Sequence, residues 1–390
     1  MIQIKSYPAK NGDAFLVKAS ANPFAMLIDG GYADTFKRHI RSDLENLAAS
    51  GYALDLVVAT HVDADHISGL LSFFSLNGPD QAPAIIPVRQ VLHNSLRGLV
   101  APGEGQTAIR PDDLAILREI RLRGYPLPDA ANNPGQEISA RQGNSLAQLL
   151  RDGGYQWNTH DGAISIGGDG LVDLRLPHAN IKILGPNKMR LEGLKRWWTS
   201  EIRQMGFVGA LKDLDDVFEF LCAHEVVDPG EQLLAWSDAD LAAAYFPDKS
   251  VTNGSSISLI VEIGSRRLLF LGDSWAEDSV IALAPNGPTI FDAVKIAHHG
   301  SLRNTSPDLL ALVDSPHFFI STNGDGHDHP DFAVLKAIVD RPAAFCRTLH
   351  FNYSTPASRR LKTYQSDTGA DFVVEENQTD WVAINSTNAI

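Results

Sequence analysis

The chain has 390 residues, 44% of them hydrophobic, so it can bury a large core in one elaborated domain or in two or three smaller ones. Its formal net charge of −14 at pH 7 repels nucleic acid and anionic membranes, so a polyanionic substrate would need a locally positive groove. Cys222 and Cys346 lie far apart and indicate no disulfide framework, and neither a secretion signal nor a run of about 18 apolar residues is visible. We therefore expect a cytoplasmic protein with no membrane association.

The first part of the chain predicts strands followed by strand and helix pairs. Residues 1–31 alternate apolar and polar positions between turn signals, which predicts a meander of three strands. Residues 34–50 predict a helix, 54–59 a buried strand, and 67–76 a second helix. The polar stretch 61–66 then falls on a loop after a strand, where open α/β sheets hold their ligands.

The rest of the chain predicts further strands separated by two insertions. We predict one domain over the whole chain, with the following parts: a loop and helix insertion over 97–177, strands within 171–185, a mostly helical insertion over 187–250, strands within 256–273, strand-to-loop segments over 291–301 and 317–330, and a C-terminal β extension over 341–390 that adds edge strands.

The motif that carries chemistry is His61-x-Asp63-x-Asp65-His66. Carboxylates at this spacing repel one another, so a cation is expected among them. In an extended segment, alternation would point His61, Asp63 and Asp65 one way and His66 the other, which suggests ligand pairs for two ions. Mixed imidazole and carboxylate ligands indicate a catalytic metal site, whereas the alternative is a surface loop that is rich in His and Asp by chance.

The sequence resembles the metallo-β-lactamase superfamily, and more closely the hydrolase domain of ComEC-type DNA-uptake proteins and their stand-alone relatives. The segments that carry the resemblance occur in the family's order: "NGDAFLV", "MLIDGG", "LDLVVATHVDADHISGL", "IKILGP", "NGSSISLIVE", "LLFLGD", "VKIAHHGS" and "STNGDGHDHP". The resemblance implies an α/β fold of the αββα sandwich type, with a mostly helical insertion and a short C-terminal β extension, and a site for two divalent ions, Zn or Mn, at one edge of its two sheets.

The resemblance also implies the roles of individual residues. His61 and Asp63 would hold one ion, Asp65 and His66 the second, and Asp273 would bridge them, although an Asp after a strand also serves as a helix cap. In the adjacent pair His298 and His299, we assign His299 to the second ion and His298 to the substrate, with the reverse assignment open. Residues in the matching loops are expected to contact the substrate: His329 and Asn253, with Ser255, Ser301, His327 and Asp328 as weaker candidates. Asp13 and Asp29 would be buried carboxylates behind the metal ligands.

Two departures from the family pattern concern the first ion. Many members have His where Asp63 stands, and the third His expected before the bridging Asp is not evident. By chain order Asn253 takes its place, with His178 and His224 as less suitable substitutes. The first ion is therefore expected to bind weakly.

The leading functional hypothesis is a phosphodiesterase or nuclease in which a hydroxide that bridges the metal ions attacks a nucleic-acid phosphodiester, with Asp65, His298, His329 and Asn253 as catalytic candidates. The basic and aromatic residues at 188–198 suit single-stranded nucleic acid, although one amphipathic helix with its Trp pair partly in the core and its charges solvated is the favoured interpretation. One alternative is hydrolysis of a small phosphodiester, such as a phosphocholine-type ester, or of another ester, which the acidic charge favours. Another is a metal-binding effector gated by a protein partner, with little activity alone.

Overall fold

Two β-sheets form the centre of the fold in the computed structural model, which describes residues 1–100, 109–126, 144–211, 213–226, 240–325 and 328–384. The first sheet has the strand order β16-β1-β2-β3-β4-β5. Its strands are β1 Ile2–Ser6, β2 Phe15–Ala19, β3 Phe24–Ile28, β4 Leu56–Ala59, β5 Val91–His93 and β16 Val382–Ile384. Strands β16 to β3 pair antiparallel, as the predicted meander requires, whereas β3, β4 and β5 are parallel.

The second sheet has the order β15-β14-β13-β11-β9-β8-β7-β6. Its strands are β6 Asp173–Leu176, β7 Ala179–Gly185, β8 Ser258–Ile263, β9 Arg266–Phe270, β11 Ala293–Lys295, β13 His317–Ile320, β14 Arg347–Phe351 and β15 Phe372–Glu375. Neighbours from β9 to β15 are parallel, and those from β6 to β9 are antiparallel. A separate parallel pair consists of β10 Thr289–Ile290 and β12 Val313–Asp314.

Helices cover the outer faces of both sheets. They are α1 Ala33–Thr35, α2 Arg41–Ala49, α3 Ala64–Asn77, α4 Leu96–Leu99, α5 Pro111–Arg123, α6 Leu146–Gly153, α7 Lys188–Gln204, α8 Asp215–Cys222, α9 Leu241–Ala244, α10 Val251–Gly254, α11 Ala276–Leu283, α12 Pro307–Leu312, α13 Phe332–Val339 and α14 Pro356–Lys362. A π-helical turn, Phe36–Ile40, joins α1 to α2, and 3₁₀ turns occur at Ala284–Asn286 and Ala297–Gly300. Among the described residues, no helix is both long and apolar enough to cross a membrane.

Three buried clusters show how these layers stack. The middle cluster joins the facing sides of the two sheets, where Phe15 of the first sheet packs edge-on against Phe270 and Phe319 of the second, with ring centroids 6.2 and 6.3 Å apart. A second cluster lies between the first sheet and helices α2, α3 and α5 to α8, and a third lies between the second sheet and α11 to α14. The order helix, sheet, sheet, helix confirms the predicted αββα sandwich.

The segments predicted as insertions contribute mainly to one helical layer. The range 97–177 contains α5 and α6, and 187–250 contains α7 and α8, all of which pack in the cluster on the first sheet. The tail after residue 341 reaches both sheets, because β15 and β16 are edge strands of different sheets. Strand β14 lies inside the second sheet, so the expectation that the tail supplies edge strands describes only part of it.

Candidate metal centre

The His/Asp motif spans a strand end and a helix start. Strand β4 ends at Ala59, residues 60–63 form the turn, and α3 begins at Ala64, three residues earlier than predicted. Asp65 and His66 therefore lie in the first turn of a helix, and the argument from strand alternation is wrong for them. Gly69 lets α3 pack closely against the loop that carries Asp29, since a Cβ atom at position 69 would lie 1.9 Å from the carbonyl oxygen of Gly30.

Asp273 follows β9 and lies at the centre of a ring of imidazoles. Its Oδ2 atom lies within 4 Å of the Nε2 atom of each of four histidines: His66 at 3.4 Å, His299 at 3.6 Å, His298 at 3.8 Å and His61 at 3.9 Å. Strands β4, β9 and β11 therefore end at the same edge of the sandwich. The side chain of Asp273 is almost completely buried, so it does not serve as an exposed helix cap.

His298 and His299 lie after β11, in the turn Ala297–Gly300, and both have positive φ angles, 43° and 56°. Such angles are uncommon for residues other than glycine and cluster at functional sites. This conformation directs both imidazoles toward Asp273, whereas adjacent residues of a regular strand would point to opposite sides. The assignment of His299 to metal and His298 to substrate stays a prediction.

The other nitrogen of each imidazole faces a protein oxygen. The pairs are His61 Nδ1 with Thr60 Oγ1 at 3.0 Å and Ser256 Oγ at 3.1 Å, His66 Nδ1 with Asp29 Oδ2 at 2.9 Å, His298 Nδ1 with Asn304 Oδ1 at 2.8 Å, and His299 Nδ1 with the Ser321 carbonyl oxygen at 2.6 Å. Such contacts hold metal-ligating imidazoles in one tautomer and orientation. The buried Nε2 atoms of His61 and His66 have no hydrogen-bond partner among the described residues, which fits a role as metal ligands.

Asp63 and Asp65 approach the imidazoles from the motif itself. Asp63 Oδ2 is 3.4 Å from His61 Nε2, and its side chain is 31% exposed, so it faces the mouth of the site. Asp65 offers an oxygen within 4.8 Å of ligand atoms of His66 and His299, and it accepts a hydrogen bond from Asn11 Nδ2 at 2.8 Å. Imidazole nitrogens and carboxylate oxygens are ligands that suit Zn²⁺ and Mn²⁺, so the residues present fit a divalent ion.

A buried lysine balances part of the negative charge. Lys295 Nζ forms an ion pair with Asp13 and lies 3.5 Å from Asp273 Oδ1. Burial lowers the pKa of Lys295, but Asp13 and Asp273 outweigh it and raise the pKa above its usual value. Likewise, burial raises the pKa of Asp273, whereas the neighbouring histidines and Lys295 hold it well below its usual range.

The pKa of His66 reflects the carboxylates that surround it. Burial lowers the pKa of His66, yet Asp273, Asp29 and Asp65 together raise it well above its ordinary value. Carboxylates thus exceed positive groups around the imidazoles, and a bound cation would balance them.

His329 lies beside the centre rather than in it. Its ring centroid is 5.2 Å from that of His298, and its Nδ1 atom is 3.4 Å from Asp331 Oδ2. Burial lowers the pKa of His329 to about 4, although Asp331 acts in the opposite direction, so the ring is neutral at pH 7. Asp328 is exposed in the same loop, and His327 lies outside the described residues.

The candidates for the missing third histidine lie elsewhere. Asn253, in α10, donates through Nδ2 to Asp248 Oδ2 at 2.8 Å, and the same nitrogen is 3.5 Å from His298 Nδ1. His178 is exposed at the turn between β6 and β7, and His224 pairs with the Gly124 carbonyl oxygen at 3.0 Å. Of these three residues, Asn253 is thus the one that contacts the imidazole of His298.

Ser255 and Ser301 have local roles. Ser255 Oγ donates to the Thr252 carbonyl oxygen at 2.7 Å, and Ser301 Oγ accepts from the Arg303 amide at 3.2 Å. Both serines thus form the turn contacts that such residues usually make.

The basic residues of α7 mostly contact carboxylates. Lys188 pairs with Asp169 at 2.6 Å, Arg196 lies 3.9 Å from Glu192, and Arg190 pairs with Asp278 at 2.6 Å while it stacks on Trp275. Trp198 is buried in the helical layer, and Trp197 is partly buried against it. This arrangement is that of an amphipathic packing helix with paired charges.

Sequence reasoning missed Lys295, Asp248, Asn304 and Thr60. Lys295 was visible as an unusual cation in the apolar strand "AVKIA" that leads into the histidine pair. The other three had no comparable signal, because Asp, Asn and Thr in turns normally form local hydrogen bonds.

Residues 8–120 match the model of the metallo-beta-lactamase superfamily. The match includes β2 to β5 and the His61 to His66 motif, so this part of the chain is similar to a metallo-beta-lactamase superfamily domain. It concerns the superfamily as a whole, so the likeness to ComEC-type hydrolases stays a prediction. No curated protein sequence matches the chain.

Solved structures also match this chain, at low identity and low TM-score. The metallo-beta-lactamase fold protein YhfI from Bacillus subtilis is 11% identical with a TM-score of 0.38, over 98% of this chain and 100% of that one. Zn²⁺-bound PqqB from Methylobacterium extorquens is 11% identical with a TM-score of 0.36, over 95% and 87% of the two chains. A mutant of the beta-hydroxylase CmlA is 12% identical with a TM-score of 0.33, over 97% and 53%.

The hydrogen bond from His66 to Asp29 provides a test of how the centre is held. Asp29 also accepts from the Thr60 amide at 2.8 Å and from Thr60 Oγ1 at 2.7 Å. Asp29→Ala therefore removes the hydrogen-bond partner of the His66 imidazole and of the turn at Thr60. We expect metal affinity to fall about 10- to 100-fold, because outer contacts of this kind orient ligands. Competition with a chelator measures it. Asp34→Ala, on the exposed face of α1, is the control, and equal affinity in both variants would contradict this role.

Proposed function

We propose that this protein is a metal-dependent phosphodiesterase, with a nucleic-acid phosphodiester as the favoured substrate. The observation that carries the proposal is the ring of four imidazole Nε2 atoms around Asp273 Oδ2, flanked by Asp63 and Asp65. The superfamily match over the region that supplies the first half of this set supports it.

His61, Asp63, Asp65, His66, Asp273 and His299 would hold the two ions, Zn²⁺ or Mn²⁺. Bound divalent ions would lower the pKa of a bound water to about 7 and neutralise charge on a phosphoryl group. Lys295, which is held by its buried ion pair with Asp13, places a positive charge beside Asp273 and favours the ionised carboxylate.

The open side of the centre provides the substrate contacts. His298 is 19% exposed and His329 lies next to it, so both rings can reach a group bound there. Since burial keeps His329 neutral at pH 7, its ring N–H can donate a hydrogen bond to a phosphoryl or leaving oxygen without adding a fixed charge. Asn253 is a weaker candidate, because its amide nitrogen already donates to Asp248.

A small phosphodiester, such as a phosphocholine-type ester, is the second candidate. The net charge of −14 and the carboxylate partners of Lys188, Arg190 and Arg196 favour it, since a small substrate needs no basic track along the surface.

Metal content and cleavage measured on one preparation test the proposal. Elemental analysis comes first, followed by assays with labelled single- and double-stranded DNA, RNA and bis(p-nitrophenyl) phosphate in Mn²⁺, Mg²⁺ or Zn²⁺. We expect metal-dependent cleavage that Asp65→Ala abolishes and that the surface control Asp34→Ala retains. Cleavage of the small ester alone would move the substrate to the second candidate, and bound metal without any phosphodiester cleavage would refute the proposal.

A further inference from the structure

The side chain of Asn304 has a fixed orientation. Its Nδ2 atom faces Asp248 Oδ2 at 3.0 Å and the carbonyl oxygens of Asp273 and Ser274 at 3.1 and 3.3 Å. A carboxylate and two carbonyls only accept hydrogen bonds, so the amide nitrogen must lie on that side. The amide oxygen therefore faces His298, where it lies 2.8 Å from Nδ1.

This orientation determines the tautomer of His298. An amide oxygen cannot donate, so the proton of this hydrogen bond must belong to His298 Nδ1. In the neutral ring, Nε2 then carries the lone pair, and this atom is 3.8 Å from Asp273 Oδ2. His298 thus presents to the centre the same atom as His61, His66 and His299, at a comparable distance.

Asp248 fixes the side chain of Asn304 on the side away from His298. It is 3% exposed, and its Oδ1 atom accepts from the amides of Lys249 and Ser250 at 2.7 and 3.1 Å, which fixes the carboxylate to the chain. Its Oδ2 atom accepts from Asn304 and also from Asn253, the residue at the chain position of the missing third histidine. Asn253 Nδ2 and His298 Nδ1 are 3.5 Å apart, so His298 reaches the centre beside that position.

We propose that His298 is an additional metal ligand, which binds through Nε2 and compensates for the absent histidine at position 253, and that Asn304 and Asp248 are the positioning residues that make it one. The inference rests on the metal centre of the proposed function, and it concerns metal binding rather than the substrate. It replaces the assignment of His298 to the substrate, because a ring that binds metal through Nε2 and contacts Asn304 through Nδ1 has no nitrogen left for a substrate.

Proton NMR of the Co²⁺-loaded protein tests the proposal. An imidazole that binds high-spin Co²⁺ through Nε2 while Nδ1 is protonated gives one strongly shifted, exchangeable Nδ1 proton signal. We expect such signals from His61, His66, His299 and also His298 in the wild-type protein. His298→Gln should lose one signal, whereas His329→Gln, a change in the neighbouring ring whose Nδ1 atom faces Asp331, should lose none.

The positioning role has its own measurement. Asn304→Leu removes the acceptor of the His298 Nδ1 proton. Asp248→Asn replaces the carboxylate that accepts from Asn304 with a neutral amide. In each variant we expect Co²⁺ affinity to fall about 10- to 100-fold and the His298 signal to shift or broaden.

Two results would overturn the inference. A wild-type spectrum with signals from only three imidazoles, unchanged in folded His298→Gln, would show that His298 is not a ligand. An unchanged His298 signal and affinity in folded Asn304→Leu and Asp248→Asn would refute the positioning role. A protein that shows all four signals but cleaves no phosphodiester would refute the proposed function and keep this inference.

Discussion

Replacing Asp273 by alanine should release the bound metal and reduce hydrolysis by about 10³-fold or more, a loss of about 4 kcal/mol in transition-state stabilisation. The reason is geometric, because Asp273 Oδ2 is the atom on which the four imidazoles converge. Without the carboxylate, these buried rings and Lys295 keep only the flanking carboxylates as partners. Elemental analysis and the turnover number on the best substrate measure the effect.

Asp273→Asn separates charge from shape at the same position. The amide keeps the size of the side chain, and its oxygen can still accept a hydrogen bond. It is nevertheless a poorer metal ligand than a carboxylate. We expect metal loss close to that of Asp273→Ala with a smaller change in melting temperature. Full metal occupancy in both variants would show that Asp273 does not bind the ions.

Glu219→Ala should lower the free energy of unfolding by about 3–5 kcal/mol, the typical cost of removing one partner from a buried charged network. Glu219 in α8 is fully buried and accepts from the amides of Leu146 and Ala147 at 2.6 and 2.9 Å. Tyr125 Oη also donates to it, and His93 Nε2 lies 3.1 Å away. The substitution would leave these groups without their partner in the core.

The position of Glu219 makes the effect informative about domain organisation. Its partners belong to α6 in the first predicted insertion and to β5 in the first sheet, so one carboxylate ties both inserted segments to the sandwich. Urea unfolding followed by fluorescence should give a single transition that shifts as a whole. Glu119→Ala, which removes an exposed ion pair with Arg123, is the control and should change stability by less than about 0.5 kcal/mol. A loss below about 1 kcal/mol for Glu219→Ala, or two separated transitions, would contradict this account.

The sequence by itself determined the elements with strong local signals. The period-two pattern of residues 1–31 predicts β1 to β3, and the apolar run before His61 predicts β4, because alternation and β-branched composition are local properties. The dense His/Asp motif likewise indicates a cation from residue types alone. These features need no knowledge of distant contacts.

Only the tertiary structure decided how the parts of the centre meet. His61, Asp273 and His298 are more than 200 residues apart at the extremes, and they converge because β4 belongs to one sheet and β9 and β11 to the other, whose facing sides pack together. The first turn of α3 and the left-handed turn at His298 then set which atoms point inward, against the simple strand alternation assumed from sequence. The same holds for the charges of α7 and for the bonds from Asp248 and Asn304, since a side chain's partner across the chain depends on packing rather than on its neighbours in sequence.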